Sequence, residues 1–331
     1  MELATSLSLP WQDATVSVVP VPLAIRTRAF AAVLKRLAVD AATPEQMIAL
    51  RERREALRTT TLGRRVFGAV PPQVAANEVR LPGGTRMVVH RPRTHRGPLP
   101  LVINFHGGGW CLGTPEQSAW LASHVALELG AIVVSPSYRL APEHPYPAAI
   151  EDTWSTFEWL LANPPADADL TRVAVMGDSA GGNLAAVAAL RARDAGVTGL
   201  RAQVLIYPAV EMYERYPSED LFAEAPVLTS RGMRTFGRLY LGESYGTEDW
   251  QASPLRAASH ADLPPAMILI AGHDPLRDQG TKYADALRAA GTSVDLCDYG
   301  AGIHGFMSLP GVVPIARDAL TDMVAFLRRQ L

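Results

Sequence analysis

The chain has 331 residues, 48% of them hydrophobic, and its 31 basic and 33 acidic side chains leave a formal charge of −2. That length and apolar content suffice for one large core, in a single α/β domain with a modest insertion or in two domains. Near-neutral charge without a long basic block argues against nucleic acid or an anionic membrane surface as a partner, and points to a small, largely uncharged target.

Residues 1 to about 73 predict a helical cap segment, because Phe30, Val33, Leu34 and Leu37 fall at helical spacing and strand-like runs are few. Thr43-Pro44-Glu45-Gln46 supplies a capping threonine, a proline at the first helical position and a glutamine at the third, so a second helix starts there and runs through Leu57. Its Arg51, Arg53, Arg54 and Arg58 are expected to form a solvated face. From Glu78 the period changes. Glu78–Leu81 and Arg86–His90 flank Pro82-Gly83-Gly84-Thr85 and predict an antiparallel hairpin that opens the domain at about residue 74. Apolar runs follow at Leu101–Phe105, Ile132–Ser135, Val173–Met176, Gln203–Tyr207, Met267–Ala271 and Val294–Cys297, mostly separated by helix-like stretches. Eight strands alternating with helices predict an α/β fold: a mostly parallel sheet covered on both faces over residues 74–331.

Thr114-Pro115-Glu116-Gln117 repeats the capping pattern, and Gly130, Gly196 and Gly291 mark helix ends. Between Val210 and Ser253 the alternation lapses into a segment rich in Tyr, Glu, Pro and Arg, then a helix-like Arg231–Leu241. A strandless insertion at about 210–250 predicts an excursion above the sheet, which with the N-terminal helices makes a lid. The two cysteines, Cys111 and Cys297, are far apart and form no Cys-x-x-Cys pair, which fits a reduced, cytoplasmic protein. No basic leader region and no run of about 18 apolar residues occurs, so neither a signal peptide nor a membrane span is expected.

In a parallel sheet, functional groups collect where strands end. His106-Gly107-Gly108-Gly109-Trp110 follows one strand, Gly177-Asp178-Ser179-Ala180-Gly181 another, and His273-Asp274 a third, with His304-Gly305-Phe306 just beyond the last. A serine on a strand-to-helix corner, a histidine to take its proton, a carboxylate to orient the histidine and a glycine loop of backbone donors are the parts of an acyl-transfer site. Ser179, Asp274 and His304 are the candidate nucleophile, acid and base. Asp278 is the rival acid, better explained as a cap of the following helix. Gly107, Gly108, Gly109 and Ala180 form the candidate oxyanion hole, with Gly108, Gly109 and Ala180 as donors. His106 is expected to shape its loop, and Asp178 to brace the serine turn. Trp110, Tyr207, Tyr213, Phe236 and Phe306 are candidates for the substrate cleft, although core packing explains Trp110 and Phe306 equally well. No His-Glu-x-x-His, Walker loop or spaced Gly-x-Gly-x-x-Gly is present, so no metal or cofactor is expected.

Together with Ser137-Tyr-Arg-Leu-Ala-Pro-Glu143, Tyr146-Pro-Ala-Ala149 and Asp274-Pro-Leu-Arg-Asp278, these motifs resemble the hormone-sensitive lipase-like esterases of the α/β-hydrolase superfamily. The resemblance covers about residues 75–331. It implies an α/β-hydrolase fold with a helical cap, the same triad and hole, and cofactor-free hydrolysis of short- to medium-chain acyl esters. Within Tyr138–Glu143, a turn held by an Arg139–Glu143 ion pair is expected. An amidase or acyltransferase would use the same site. The plant gibberellin receptors resemble the same family but lack the catalytic histidine, and His304 argues against that reading. The last strand, Val294–Cys297, offers an edge through which a homodimer could pair.

Overall fold

A computed structural model describes residues 21–34, 43–95 and 97–331. The predicted runs become β1 (Val74–Arg80), β2 (Arg86–Pro92), β3 (Leu99–Phe105), β4 (Ile132–Pro136), β5 (Ala168–Asp178), β6 (Leu200–Ile206), β7 (Ala266–His273) and β8 (Val294–Ile303). They form one sheet in the order β1-β2-β4-β3-β5-β6-β7-β8. The β1–β2 and β2–β4 pairings are antiparallel and the other five are parallel.

Period-two alternation explains why the central strands read as unbroken apolar runs. Leu101, Ile103 and Phe105 of β3 join one core layer with Val173, Val175, Ile268 and Ile270. Val102, Ala174, Met176, Met267 and Leu269, one residue out of phase, join the other. Helices α5 (Ala148–Ala162), α6 (Ala180–Asp194) and α9 (Arg277–Ala289) cover the first face, and α4 (Ala119–Leu129) and α10 (Ile315–Gln330) the second. Leu331 stands next to the end of α10. At 25 cal/mol per Å², each fully buried Leu or Ile stabilises this sandwich by about 2 kcal/mol.

Among the described residues before β1 the chain forms three helices, α1 (Ile25–Leu34), α2 (Pro44–Thr59) and α3 (Thr61–Phe67). Leu37 lies outside the described residues. Thr43 caps α2 in a reciprocal box with Gln46. Arg53 and Arg54 are exposed, as expected, but Arg51 and Arg58 depart from the solvated face. Arg51 donates to Glu143 at 2.8 Å and to the carbonyls of Cys111 and Ala141 at 3.0 Å, and Arg58 reaches Glu55 and the Glu116 carbonyl. Between β6 and β7 the chain carries only α7 (Pro217–Leu221), α8 (Ser230–Leu241) and short 3₁₀ turns, the strandless excursion that composition indicated.

Three other local expectations fail. Pro115–Ser118 is a 3₁₀ turn with no side-chain cap, because Thr114 turns its hydroxyl to Glu55 instead, 3.4 Å away. Arg139 pairs with Asp152, and Glu143 is taken by Arg51, so no Arg139–Glu143 pair forms. Asp278 lies in the first turn of α9 but is not its N-cap, which is Leu276.

Candidate active site

Strand β5 ends at Asp178 and α6 begins at Ala180, so Ser179 must reverse the chain in one residue, at φ 57° and ψ −118°. Such a backbone costs on the order of 1–3 kcal/mol in a non-glycine residue and persists only where its surroundings enforce it. Here the flanking residues have no room for side chains: a Cβ on Gly177 would strike the Gly181 carbonyl, and one on Gly181 the Phe105 carbonyl. Helix α6 is buried along almost its whole length, which anchors the corner.

Residues from three strand ends meet at this corner. The Ser179 hydroxyl is 2.9 Å from His304 Nε2, and His304 Nδ1 is 2.7 Å from Asp274 Oδ2. Asp274 is fully buried, and its Oδ1 accepts the Leu276 N–H at 2.9 Å, leaving Oδ2 facing the imidazole. The carboxylate can only accept, so Nδ1 carries the proton and Nε2 is the acceptor for the serine. Neighbouring His273 points elsewhere, with Nε2 2.8 Å from the Val21 carbonyl and its ring against Phe222.

The glycine loop is arranged from both ends. His106 is buried and stacked on Tyr138 at 4.3 Å, its Nδ1 donates to the Gly107 carbonyl at 2.9 Å, and burial pushes its pKa down to about 4. It is a neutral loop-former. Asp178 accepts the Gly107 N–H at 2.9 Å, so Gly107 does not supply a free oxyanion donor and leaves the expected set. Burial pushes the Asp178 carboxyl up to about 6, against the lowering effects of that hydrogen bond and of His304. Gly108 and Gly109 follow at φ 125° and 60°, and among the described residues no backbone bond engages their N–H groups. Ala180 is the first residue of α6, where a helix leaves its N–H without an internal acceptor.

A cavity of about 500 Å³ opens above Ser179 and His304, its walls mostly apolar. Phe30, Leu62 and Val66 face it from the N-terminal helices, and Met212, Met233 and Phe236 from the insertion. Of the predicted cleft residues, Trp110, Tyr213 and Phe236 line this space; Tyr207 and Phe306 do not. Both are buried behind the imidazole: Tyr207 packs 4.9 Å from the His304 ring and 5.3 Å from Phe306. Spacing alone could not separate a residue that faces the cavity from one that backs the base.

Sequence reasoning missed the fastenings of the insertion. Ser218 donates its N–H to Asp278 at 2.9 Å and its hydroxyl to the Pro275 carbonyl at 2.7 Å. Gln279 accepts the N–H groups of Val210 and Glu211 at 3.0 and 3.1 Å. No motif marks such partners, which lie about sixty residues apart. Among the described residues no group of His, Cys, Asp and Glu could hold a metal ion, and no helix is long and apolar enough to cross a membrane.

A mostly parallel sheet with a serine elbow, a buried histidine–carboxylate pair and a glycine loop at one edge is the arrangement of the serine hydrolases that work through an acyl-enzyme, and the relatives below make the chain a carboxylic ester hydrolase among them. A family model described as alpha/beta hydrolase fold matches residues 102–308. The chain belongs to that family, in its hormone-sensitive lipase-like branch. Esterase LipI of Mycobacterium tuberculosis is 42% identical over 249 residues, 75% of this chain and 78% of that protein. An ethyl acetate hydrolase of Pseudomonas putida is 32% identical over 232 residues, 70% of this chain and 73% of its own length. The solved hyperthermophilic esterase of the archaeon Pyrobaculum calidifontis superposes with a TM-score of 0.82 at 35% identity, covering 93% of this chain and 99% of that one.

Proposed function

We propose that Ser179 is the nucleophile of this carboxylesterase, His304 its general base and Asp274 the group that orients the imidazole. The observation that carries the reading is the unbroken relay from Ser179 Oγ to Nε2 at 2.9 Å and from Nδ1 to Asp274 at 2.7 Å. As Oγ attacks the ester carbon, His304 takes its proton and returns it to the departing alkoxide. The N–H groups of Gly108, Gly109 and Ala180 receive the oxyanion. Water, deprotonated by the same imidazole, then releases the acid. Ser179→Ala is expected to lower kcat by roughly 10⁶-fold and to abolish labelling by a fluorophosphonate. Labelling that persists in the variant would overturn the assignment.

The apolar walls and the volume of about 500 Å³ support short- to medium-chain acyl esters as substrates, and the positions of the N-terminal helices and of residues 210–250 support their role as a cap over the cavity. Two free thiols, Cys111 and Cys297, support a reducing, cytoplasmic location. Because β8 ends the sheet, with Leu296 and Cys297 only partly buried, its edge supports a homodimer.

A further inference from the structure

The oxyanion loop is a backbone device with little regular structure to hold it. Gly108, Gly109 and Trp110 take φ of 125°, 60° and 56° in succession, and Trp110 does so with a large side chain. From the sheet side, the Asp178 carboxylate fixes Gly107, and the Gly108 carbonyl accepts the N–H groups of Leu112 at 2.9 Å and Cys111 at 3.2 Å. None of these bonds reaches Gly109.

What covers Gly109 comes from the insertion. Phe236 and Tyr240 stand four residues apart on α8, and so share one face of that helix. The Phe236 ring lies where a side chain on Gly109 would be, so that even a methyl group there would collide with it. Tyr240, fully buried, stacks face to face on Trp110 with centroids 4.3 Å apart and planes 5° from parallel. The helix itself is seated on the catalytic domain by the Tyr146 N–H, which donates to the Tyr240 carbonyl at 2.7 Å, and by the Tyr146 ring edge.

We propose that α8 is a positioning element for catalysis as well as a wall of the pocket: Phe236 and Tyr240 press Gly109 and Trp110 into the conformation in which the loop's N–H groups converge on the oxyanion. This rests on the reading of Gly108 and Gly109 as oxyanion donors. The physical reason is that donors contribute fully to a transition state only when fixed beforehand, and a glycine pair without a cover samples other φ values at no steric cost. A displacement of about 1 Å at such a site costs up to roughly 100-fold in rate.

The test is a series at position 236, Phe236→Leu, Phe236→Val and Phe236→Ala, assayed on p-nitrophenyl acetate and p-nitrophenyl hexanoate and against 1,1,1-trifluoroacetone. That ketone forms a hemiketal whose oxyanion occupies the hole but whose methyl group is too small to use the pocket. The expected result is a graded fall in kcat on both esters, reaching between about 10- and 100-fold in Phe236→Ala. KM on the acetate should change little, the ketone's Ki should weaken in parallel with kcat/KM, and Phe236→Leu should retain most of the native kcat. Because the series is graded, Leu and Val alone decide the matter if the alanine variant does not fold. Unchanged kcat and Ki, with only KM or the hexanoate-to-acetate preference altered, would reduce Phe236 to a pocket wall and overturn the proposal while leaving the esterase mechanism intact. A native enzyme that neither the ketone inhibits nor a fluorophosphonate labels would overturn both.

Discussion

The insertion between β6 and β7 and the helices before β1 both face the cavity above Ser179, yet they are fastened to the catalytic domain by different chemistry. The insertion is held by buried or part-buried bonds to backbone groups, from Ser218 to Asp278 and Pro275 and from Gln279 to Val210 and Glu211, and by aromatic packing of Phe236 and Tyr240 on the oxyanion loop. Helix α2 is held by the fully buried Met47 and by Arg51, whose part-buried bonds to the Cys111 and Ala141 carbonyls accompany an ion pair with Glu143 that is partly open to solvent, with side-chain exposures of 22% and 38%. Bonds removed from water keep their strength in salt, whereas exposed charge pairs are screened and contribute about 1 kcal/mol or less. On the functional reading proposed above, the insertion takes part in catalysis, and the N-terminal helices, with a partly exposed ion pair among their fastenings, are the looser side of the cap.

The largest effect expected from breaking this contrast is that of Asp278→Ala. It leaves the Ser218 N–H without its acceptor, at about 1–3 kcal/mol, next to the loop that carries Asp274. A melting temperature lower by roughly 2–6 °C and a kcat/KM lower by about 10-fold are expected from calorimetry and initial rates. Native kinetics in this variant would show that α7 is as loosely coupled as α2.

Asp178 sharpens the contrast from below, because it holds the oxyanion loop that α8 covers. Its folded pKa, about 6, lies above the ordinary carboxylate value of 3.8, mainly through burial. A group raised in this way favours the folded state fully below about pH 4, and that contribution is lost as pH rises through about 6. Asp178→Asn keeps an oxygen for the Gly107 N–H and has no charge to bury. Relative to the native protein it should gain stability of about 3 kcal/mol at pH 8 and little at pH 4. Denaturant midpoints at pH 4 and pH 8 check this, and a gap that is equal at both values would refute it.

Arg51→Ala is expected to act most mildly on turnover, raising KM about threefold with kcat nearly constant, while the Cys111 and Ala141 carbonyls left without their donor cost about 1–3 kcal/mol of stability. In 1 M NaCl the native protein should likewise be nicked by trypsin within residues 43–73 before residues 210–250. Cleavage in the reverse order would invert the comparison.

The strands were legible because each is a local pattern: an apolar run bounded by turn residues needs no knowledge of its partners. So were the elbow at Ser179 and the glycines beside it, since only glycine tolerates those carbonyls at van der Waals distance. The failures share one cause, a choice among partners that are distant in sequence. Arg139 had Glu143 four residues away and took Asp152, and Thr114 had a helix to cap and took Glu55. Tyr207 was expected at the cleft and Phe306 at the cleft or in the core, and the pleat and the turn sent both behind His304.

By itself, then, the sequence determined the order of strands and helices, the residue types of the relay and the places where only glycine fits, because backbone sterics and hydrophobic period act over a few residues. Only the tertiary structure decided which N–H groups remain open at the oxyanion loop, which carboxylate meets His304 and which helix rests on Gly109. Those outcomes depend on which of several competing groups burial brings within about 3 Å, and a hydrogen bond discriminates at that range alone.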